Sequence, residues 1–324
     1  MKKRQDKLVG PVVSLPTFVD DDHNLLLDRQ AKHIRWLMDH GIGVDGNGVL
    51  LAAGGYGEGY FLDDAELFAL IDVLVDTAGD KAPTMIGVFD LNARTAARRS
   101  RYAGDAGIDF IELGLPHYSC PSEEDVYLYT KYVNDNADVG LMNYNNFWVT
   151  PAPKYEITRS LMERFIDLEN VVGFKWSSAS PAHYVGLLKL FAEEFNFIDN
   201  GMMNSQGARF GMAGFVDFFG NVAPSLSLTK WEMFRDGRYD ELDELLDALH
   251  FDTDNRLSNE APAFTSVADG VFGHVRWEVM GLHAGPNFPA QAPAPQALYD
   301  HTRQVFTESG LMDHVEWDQS ILDE

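Results

Sequence analysis

From residue 8 to residue 221, short apolar runs alternate with amphipathic stretches at nearly even spacing. Eight runs read as strands: LVGPVVSLP (8 to 16), GVLLAAGG (48 to 55), TMIGVFD (84 to 90), FIELGLP (110 to 116), VGLMNY (139 to 144), VVGFKWSS (171 to 178), FNFIDNG (195 to 201) and GFVDFFGN (214 to 221). Between them, segments such as LLLDRQAKHIRWLMDH, DDAELFALIDVLVDTAG, ARTAARRSRYAGDAG and SEEDVYLYTKYVNDNAD carry apolar residues at three-and-four spacing and predict helices. Eight strand-helix units predict an α/β chain folded as a (β/α)8 barrel over 1–237. Residues 238–324 read as additional C-terminal helices packed on that barrel, the whole forming a single structural unit. An open doubly wound sheet also alternates strands and helices, but no nucleotide-binding fingerprint accompanies these eight units. The stretch PNFPAQAPAPQ (286 to 296) reads as a packed connection between late helices.

The sixth run carries an oddity: it sets Lys175 between Phe174 and Trp176. Lysine is rarely buried unless paired or neutralised. Barrel active sites lie at the C-terminal ends of the strands, where side chains alternate between interior and exterior. Counting by two puts Gly173, Lys175 and Ser177 inside and turns Phe174 and Trp176 toward the helices, with Gly173 leaving space beneath the amine. A poorly hydrated interior favours an uncharged amine, which attacks a ketone to form an imine, and the iminium then serves as an electron sink. Tyr144 ends the neighbouring run, about 5 Å away if the strands are in register, and its phenol can shuttle a proton. The GGYGEG loop, with Gly54, Gly55 and Tyr56, lets backbone N–H groups approach an anion such as the carboxylate of a 2-oxo acid. It lacks the GK[ST] of a phosphate loop, and Tyr60 stands where a dinucleotide fold has its last glycine.

Each residue also has a structural reading. Lys175 could snorkel at a strand end, Tyr144 could sit at a wet rim, and Tyr118, Phe147 and Trp148 could pack a subunit contact. The run DDDH (20 to 23) reads as a solvated turn and helix N-cap rather than a metal site. Ten histidines include no HxH or HExxH pair, which disfavours a metal-dependent aldolase on the same barrel. Cys120 reads as a small apolar filler near Tyr118.

Composition narrows the partners. Fifty acidic residues against 25 basic ones give a formal charge of −25, a surface that repels nucleic acid and anionic membranes. Only 10 of the basic residues are lysines, so the balance suits either a salt-adapted cytoplasm or an ordinary acidic enzyme. One cysteine excludes an intrachain disulfide. No secretory h-region and no apolar stretch of membrane-spanning length are seen, so the expected location is the cytoplasm.

Six segments, in order, resemble motifs of the dihydrodipicolinate synthase / N-acetylneuraminate lyase superfamily. PVVSLPTF is similar to its (V/A)xxTPF start, GGYGE to its GTTGE loop, and PHYSCP to its PYYxxP segment. YNNF resembles its YNxP turn, VVGFKWSS its GIK(D/E)(A/S)S strand, and AGFVDFFGNVAP its GxxGxIS strand, while VRWEVMGLHAG extends the likeness into the C-terminal helices. The resemblance implies a class I lyase in which Lys175 forms the imine with pyruvate or a 2-oxo-3-deoxy acid and needs no cofactor or metal. It further implies that Tyr144 is the acid/base, that Gly55 and Tyr56 hold the carboxylate, and that Gly214 and Val216 line the strand-eight side. Tyr118 matches a tyrosine that in many members enters a neighbouring subunit's site, which implies a homo-oligomer, commonly a dimer of dimers.

Departures from the pattern matter too. Gly55 and Tyr56 replace the two threonines of the synthases' GTTGE loop, which removes the hydroxyl that links the tyrosines of their proton relay, and Val149 stands where they carry a substrate-binding arginine. A lysine-biosynthetic synthase is therefore disfavoured, and an aldolase or dehydratase preferred. Asn146, Phe147, Trp148 and Val149, with Tyr56, suit an aromatic or apolar aldehyde, so a hydratase-aldolase is the alternative. Members with that chemistry resemble this chain in a large aromatic after the lysine, here Trp176. A barrel that has lost catalysis and only binds small molecules is the alternative from another class.

Overall fold

The computed structural model describes residues 4–149, 156–200, 204–251, 253, 256–257 and 268–323. Strands β1 (Gly10–Ser14), β2 (Val49–Ala52), β3 (Thr84–Val88), β4 (Phe110–Leu113), β5 (Gly140–Asn145), β6 (Val171–Trp176), β7 (Asn196–Asp199) and β8 (Gly214–Asp217) pair in chain order. All pairings are parallel, and β8 pairs with β1 to close the sheet. The strands are followed in turn by α1 (Leu27–Asp39), α2 (Asp64–Ala78), α3 (Ala93–Ala106), α4 (Glu123–Asn136), α5 (Arg159–Phe165), α6 (Pro181–Phe191), α7 (Asn204–Arg209) and α8 (Pro224–Arg235). After them come α9 (Tyr239–Leu246), α10 (Asp269–Val279) and α11 (Gln296–Glu308). The chain is a (β/α)8 barrel with C-terminal helices.

Local chemistry starts these helices where the pattern predicts. Asp63 and Glu66 form a capping box on α2, Ser122 and Asp125 another on α4, and Ser180 caps α6 with Pro181 in its first turn. The DDDH run does make a turn, because the Asp20 carboxylate accepts from the backbone N–H groups of Asp22 and Asn24. It does not cap α1, whose N-cap is Leu26, without a side-chain bond. The Pro/Ala connection between α10 and α11 is packed: Phe288 is buried, with ring centroids 5.9 Å from both Phe61 and His23.

Two apolar layers surround the sheet. The outer one holds Phe174, Trp176 and Phe197 against the helices; the inner one fills the barrel. In a barrel of this shear, positions at equal height advance one residue per strand, so each interior layer takes its four side chains from alternate strands. The registers give Val49, Phe110, Val172 and Gly214 as the lowest layer, and Val12, Met85, Met142 and Ile198 as the next. Leu51, Glu112, Lys175 and Val216 form the third, and Ser14, Gly87, Tyr144 and Asn200 the fourth. Simple alternation fails once, at an irregularity in which Leu141 pairs with Val171 but Met142 with Gly173. There Val172 joins the interior. Gly173 leaves no open space: a Cβ on it would lie 2.7 Å from Leu8 Cδ2, because Leu8 plugs the barrel floor.

Candidate active site

Lys175 lies in the third layer and is 5% exposed. Its Nζ donates to Glu112 Oε1 at 2.8 Å, and Glu112 is fully buried. The sequence reading named no charged partner for this amine; the structure supplies one, a carboxylate from the facing strand of the same layer. The floor beneath is entirely apolar, so the pair gains no solvation from below. Above Glu112, on the same strand, the ring of Phe89 covers Gly114, and a Cβ there would lie 2.5 Å from Phe89 Cδ1.

Tyr144 stands one layer higher, paired in register with Lys175, and Nζ lies 4.2 Å from its ring centroid. Asn200 Nδ2 donates to the Tyr144 hydroxyl at 3.2 Å and to Ser177 Oγ at 3.0 Å, and Ser177 also hydrogen-bonds the phenol. Burial pushes the Tyr144 hydroxyl well above the usual tyrosine range, and the negative charges of Glu112 and Asp269 add to this, while the Ser177 bond works against it. The phenol is therefore protonated at neutral pH and enters a reaction as a proton donor. Asn145 fixes Ser177 in turn: its side chain donates to the Ser177 carbonyl at 2.7 Å and its own carbonyl accepts from the Ser177 N–H at 3.0 Å.

The mouth is built by the β2 loop and α10. Glu58 ends the GGYGE turn with φ of 53° and anchors the loop to the C-terminal helices. Its carboxylate lies 3.3 Å from His274 Nε2, accepts from Gln291, and is almost fully buried. Thr17 Oγ1 donates to the Gly57 carbonyl at 2.6 Å. Tyr56 packs edge-on against Phe218 and Trp277, at 5.3 and 6.2 Å, and those two rings stack at 4.9 Å. Asp269, in the first turn of α10, brings Oδ2 to 3.5 Å from the point where Gly55 would carry a Cβ. Although its side chain keeps contact with solvent, the atoms crowding the mouth push its carboxyl up, against the pull of Lys175 and Arg276.

Of the residues expected at the site, Lys175, Tyr144, Gly54, Gly55, Tyr56 and Val216 do converge on the upper barrel. Gly214 does not: it lies two layers beneath Lys175, where a Cβ would sit 2.1 Å from the Gly10 carbonyl oxygen, so its role is close strand approach rather than pocket lining. Tyr118 is 89% exposed on a short turn after β4. Phe147 is half-buried in the turn after β5, and the side chain of Trp148 lies outside the described residues. Cys120 is exposed, not an apolar filler. Trp176 points outward and packs on Tyr184 and Phe197. A second lysine is buried too: Lys230 of α8 pairs with Asp217 at 2.6 Å, but outside the barrel wall. Lys154 lies outside the described residues. Among the described residues no three His, Cys, Asp or Glu side chains cluster as metal ligands, and no helix is long and apolar enough to cross a membrane.

Glu112, Asn200, Asp269 and Arg276 escaped the sequence reading. Glu112 had the same signal as Lys175, a charged residue at an inward position of an apolar strand. Asn200, at the end of the seventh apolar run, shares the inward parity of Ile198, whereas Asp269 and Arg276 reach the site from a late helix whose placement periodicity does not carry.

A closed parallel barrel with a buried lysine beneath a phenol at its C-terminal mouth defines a class of (β/α)8 proteins organised around an amine. Within it, the chain belongs to the dihydrodipicolinate synthetase family, whose family model matches residues 7–270. The 4-hydroxy-tetrahydrodipicolinate synthase of Methylobacterium radiotolerans is 26% identical over 276 residues, 85% of this chain and 88% of that protein. That of Methanothrix thermoacetophila is 24% identical over 302 residues, 93% and 96% of the two chains. Among solved structures, YagE, a prophage protein of this family from E. coli K12 in complex with pyruvate, superposes with a TM-score of 0.80 at 21% identity over 94% of this chain and 99% of that one. CdNal from Clostridium difficile, in complex with mannosamine, gives 0.75 at 17% identity over 93% and 99%.

Proposed function

We propose that the protein is an imine-forming lyase, an aldolase or dehydratase, that acts on pyruvate or a 2-oxo-3-deoxy acid. One observation carries this reading: the Lys175 amine is buried under the Tyr144 ring, whose hydroxyl is already wired to Ser177 and Asn200. The amine adds to the C2 carbonyl, Tyr144 gives its proton to the oxygen that becomes hydroxyl, and loss of water leaves the iminium. Cleavage of the C3–C4 bond, or removal of a proton from C3, then sends that bond's electron pair into the C=N bond; in the dehydratase case the enamine so formed expels the C4 hydroxyl, which leaves as water after protonation. Gly54, Gly55 and Tyr56 meet the substrate carboxylate, and the imine itself does the work of a cofactor.

Tyr56 at the relay position and an exposed Val149 at the position of the second-substrate arginine speak against 4-hydroxy-tetrahydrodipicolinate synthesis. Tyr118, exposed on its own chain, fits a tyrosine donated to a neighbouring copy and supports a dimer or tetramer; the acidic surface supports a small-molecule, cytoplasmic role.

Borohydride added with pyruvate is expected to fix a lactate-sized mass on Lys175, with no adduct in Lys175→Ala. Intact pyruvate binding without an adduct would instead mark a non-catalytic binding barrel.

The aromatic mouth favours a second reading, a hydratase-aldolase releasing pyruvate and an aromatic aldehyde. Tyr56 and Phe89 are half-buried and Tyr60 is exposed; Tyr56 rests on the buried rings of Phe218 and Trp277, and Tyr60 lies 6.2 Å from Phe89. With pyruvate as partner, aromatic aldehydes should then turn over at least about tenfold faster in kcat/KM than sugar-derived ones, a gap of roughly 1.4 kcal/mol. Equal rates would remove this reading.

A further inference from the structure

We propose that Glu112 is a catalytic residue, the carboxylate that takes the proton from the Lys175 amine and returns it to the departing water during imine formation. This rests on the imine reading of Lys175. The carboxylate has three properties that a purely structural partner does not need together. Oε1 is 2.8 Å from the reacting nitrogen. Oε2 is buried and has no hydrogen-bond partner among the described residues. Glu112 shares with Lys175 the layer immediately below that of Tyr144, with apolar Leu51 and Val216 completing it and the ring of Phe89 over Gly114 closing the strand-four side. A buried acceptor without a donor is unfavourable unless something arrives to fill it. The hydroxyl of the tetrahedral adduct on Nζ is a donor that forms within reach of the same carboxylate, so one oxygen faces the nitrogen while the other faces the leaving oxygen.

The balance closes without any further reagent. The ammonium of Lys175 gives one proton to Glu112, and the free amine adds to C2 of the 2-oxo acid. Tyr144 protonates the oxygen, and the nitrogen of the adduct yields its own surplus proton to the Tyr144 phenolate. The C–O bond then breaks as Glu112 returns its proton to the hydroxyl, releasing water. Nitrogen has exchanged two protons for a C=N bond, those two protons leave with the ketone oxygen, and the iminium inherits the ammonium's charge opposite an ionised Glu112. Imine chemistry here therefore proceeds in a site whose net charge never changes, consistent with burial on all sides.

The test is the rate of borohydride trapping with pyruvate in the full-length protein. Glu112→Gln should trap about 100-fold more slowly than the parent near neutral pH, the usual scale of a lost acid/base group. Its rate should climb about tenfold per pH unit as bulk hydroxide replaces the carboxylate, where the parent stays nearly flat. Glu112→Asp should recover part of the rate and the flat profile. Trapping by Glu112→Gln at the parent rate or faster would overturn the proposal, because Glu112 would then only pin the ammonium. Should Glu112→Gln not fold, as judged by circular dichroism, Glu112→Asp decides: parent-rate trapping overturns the proposal, and slower trapping with a flat pH profile supports it. A parent protein that forms no adduct at all overturns both this role and the imine reading, whereas an adduct on the parent with an indifferent Glu112→Gln removes only the former.

Discussion

Replacing Lys175 by methionine is expected to abolish imine trapping and, separately, to lower unfolding stability by about 3–5 kcal/mol. The second effect follows from where the ion pair stands. Glu112 is fully buried, its hydrogen-bond partner among the described residues is Lys175 alone, and the layer beneath is Val12, Met85, Met142 and Ile198. Removing the ammonium strands a carboxylate among hydrocarbon, which is far more harmful than never having had the pair. A second substitution separates the two effects. Adding Glu112→Leu to Lys175→Met completes an apolar layer with Leu51 and Val216, so the double variant should regain the parent's stability or exceed it while remaining inert. Urea unfolding of the parent, both single variants and the double variant measures the coupling directly. If Lys175→Met alone shifts stability by less than about 1 kcal/mol, the pair is better solvated than its geometry implies and the argument fails. A protein that keeps a pair it could replace with leucine and methionine keeps it for chemistry.

That pair also shows how far the sequence could be read. Apolar runs located all eight strands because a parallel strand buried on both faces has no polar positions to blur it. The expected strands nonetheless ran past their C-terminal ends, to Gly55, Asp90, Pro116 and Asn221. Those segments are still buried or half-buried, but the backbone has left the sheet: Ala53 has φ of 50°, and Phe219–Asn221 is a tight turn. Burial continues into the mouth while hydrogen-bond registry does not, and hydropathy reports only the first. The parity count found Lys175 and missed Val172, because the irregularity at Leu141/Met142 inserts a residue that leaves no mark in composition. Val216 and Gly214 share a strand face, and only the barrel's shear separates a pocket wall from a floor residue two layers lower. Asp269 and Arg276 are illegible for another reason. They sit on α10, which the chain folds back over the mouth after the eight units are complete, and nothing in its own pattern says which loop it meets.

Acidification is expected to weaken the fold between about pH 6.5 and pH 4, before most carboxylates titrate, and His33 is the reason. This residue of α1 is fully buried, edge-on to Phe18 and Trp317 at 5.5 and 5.0 Å and stacked on Trp36 at 6.2 Å. Nε2 faces the Asn221 carbonyl at 3.1 Å, and Nδ1 has no partner among the described residues. Burial pushes the imidazole down to about 4, the bond to Asn221 offsetting part of it. The native state thus refuses a proton that the unfolded chain accepts near pH 6.5. The stabilisation is complete above that value, declines as pH falls, and is gone once pH passes through about 4, a loss of about 3 kcal/mol from this one group. Urea midpoints of the parent should fall steeply across that window, while His33→Gln, which retains a donor for Asn221 but takes no proton, should start lower and stay flat. Parallel slopes would assign the acid sensitivity elsewhere. The site should register the change as well, because Asn221 donates to the Ser14 carbonyl at 2.8 Å and Ser14 belongs to the same interior layer as Tyr144. Charging His33 would pull the turn after β8 away from its aromatic seat and loosen that layer, so trapping at Lys175 should fade along the same curve as stability.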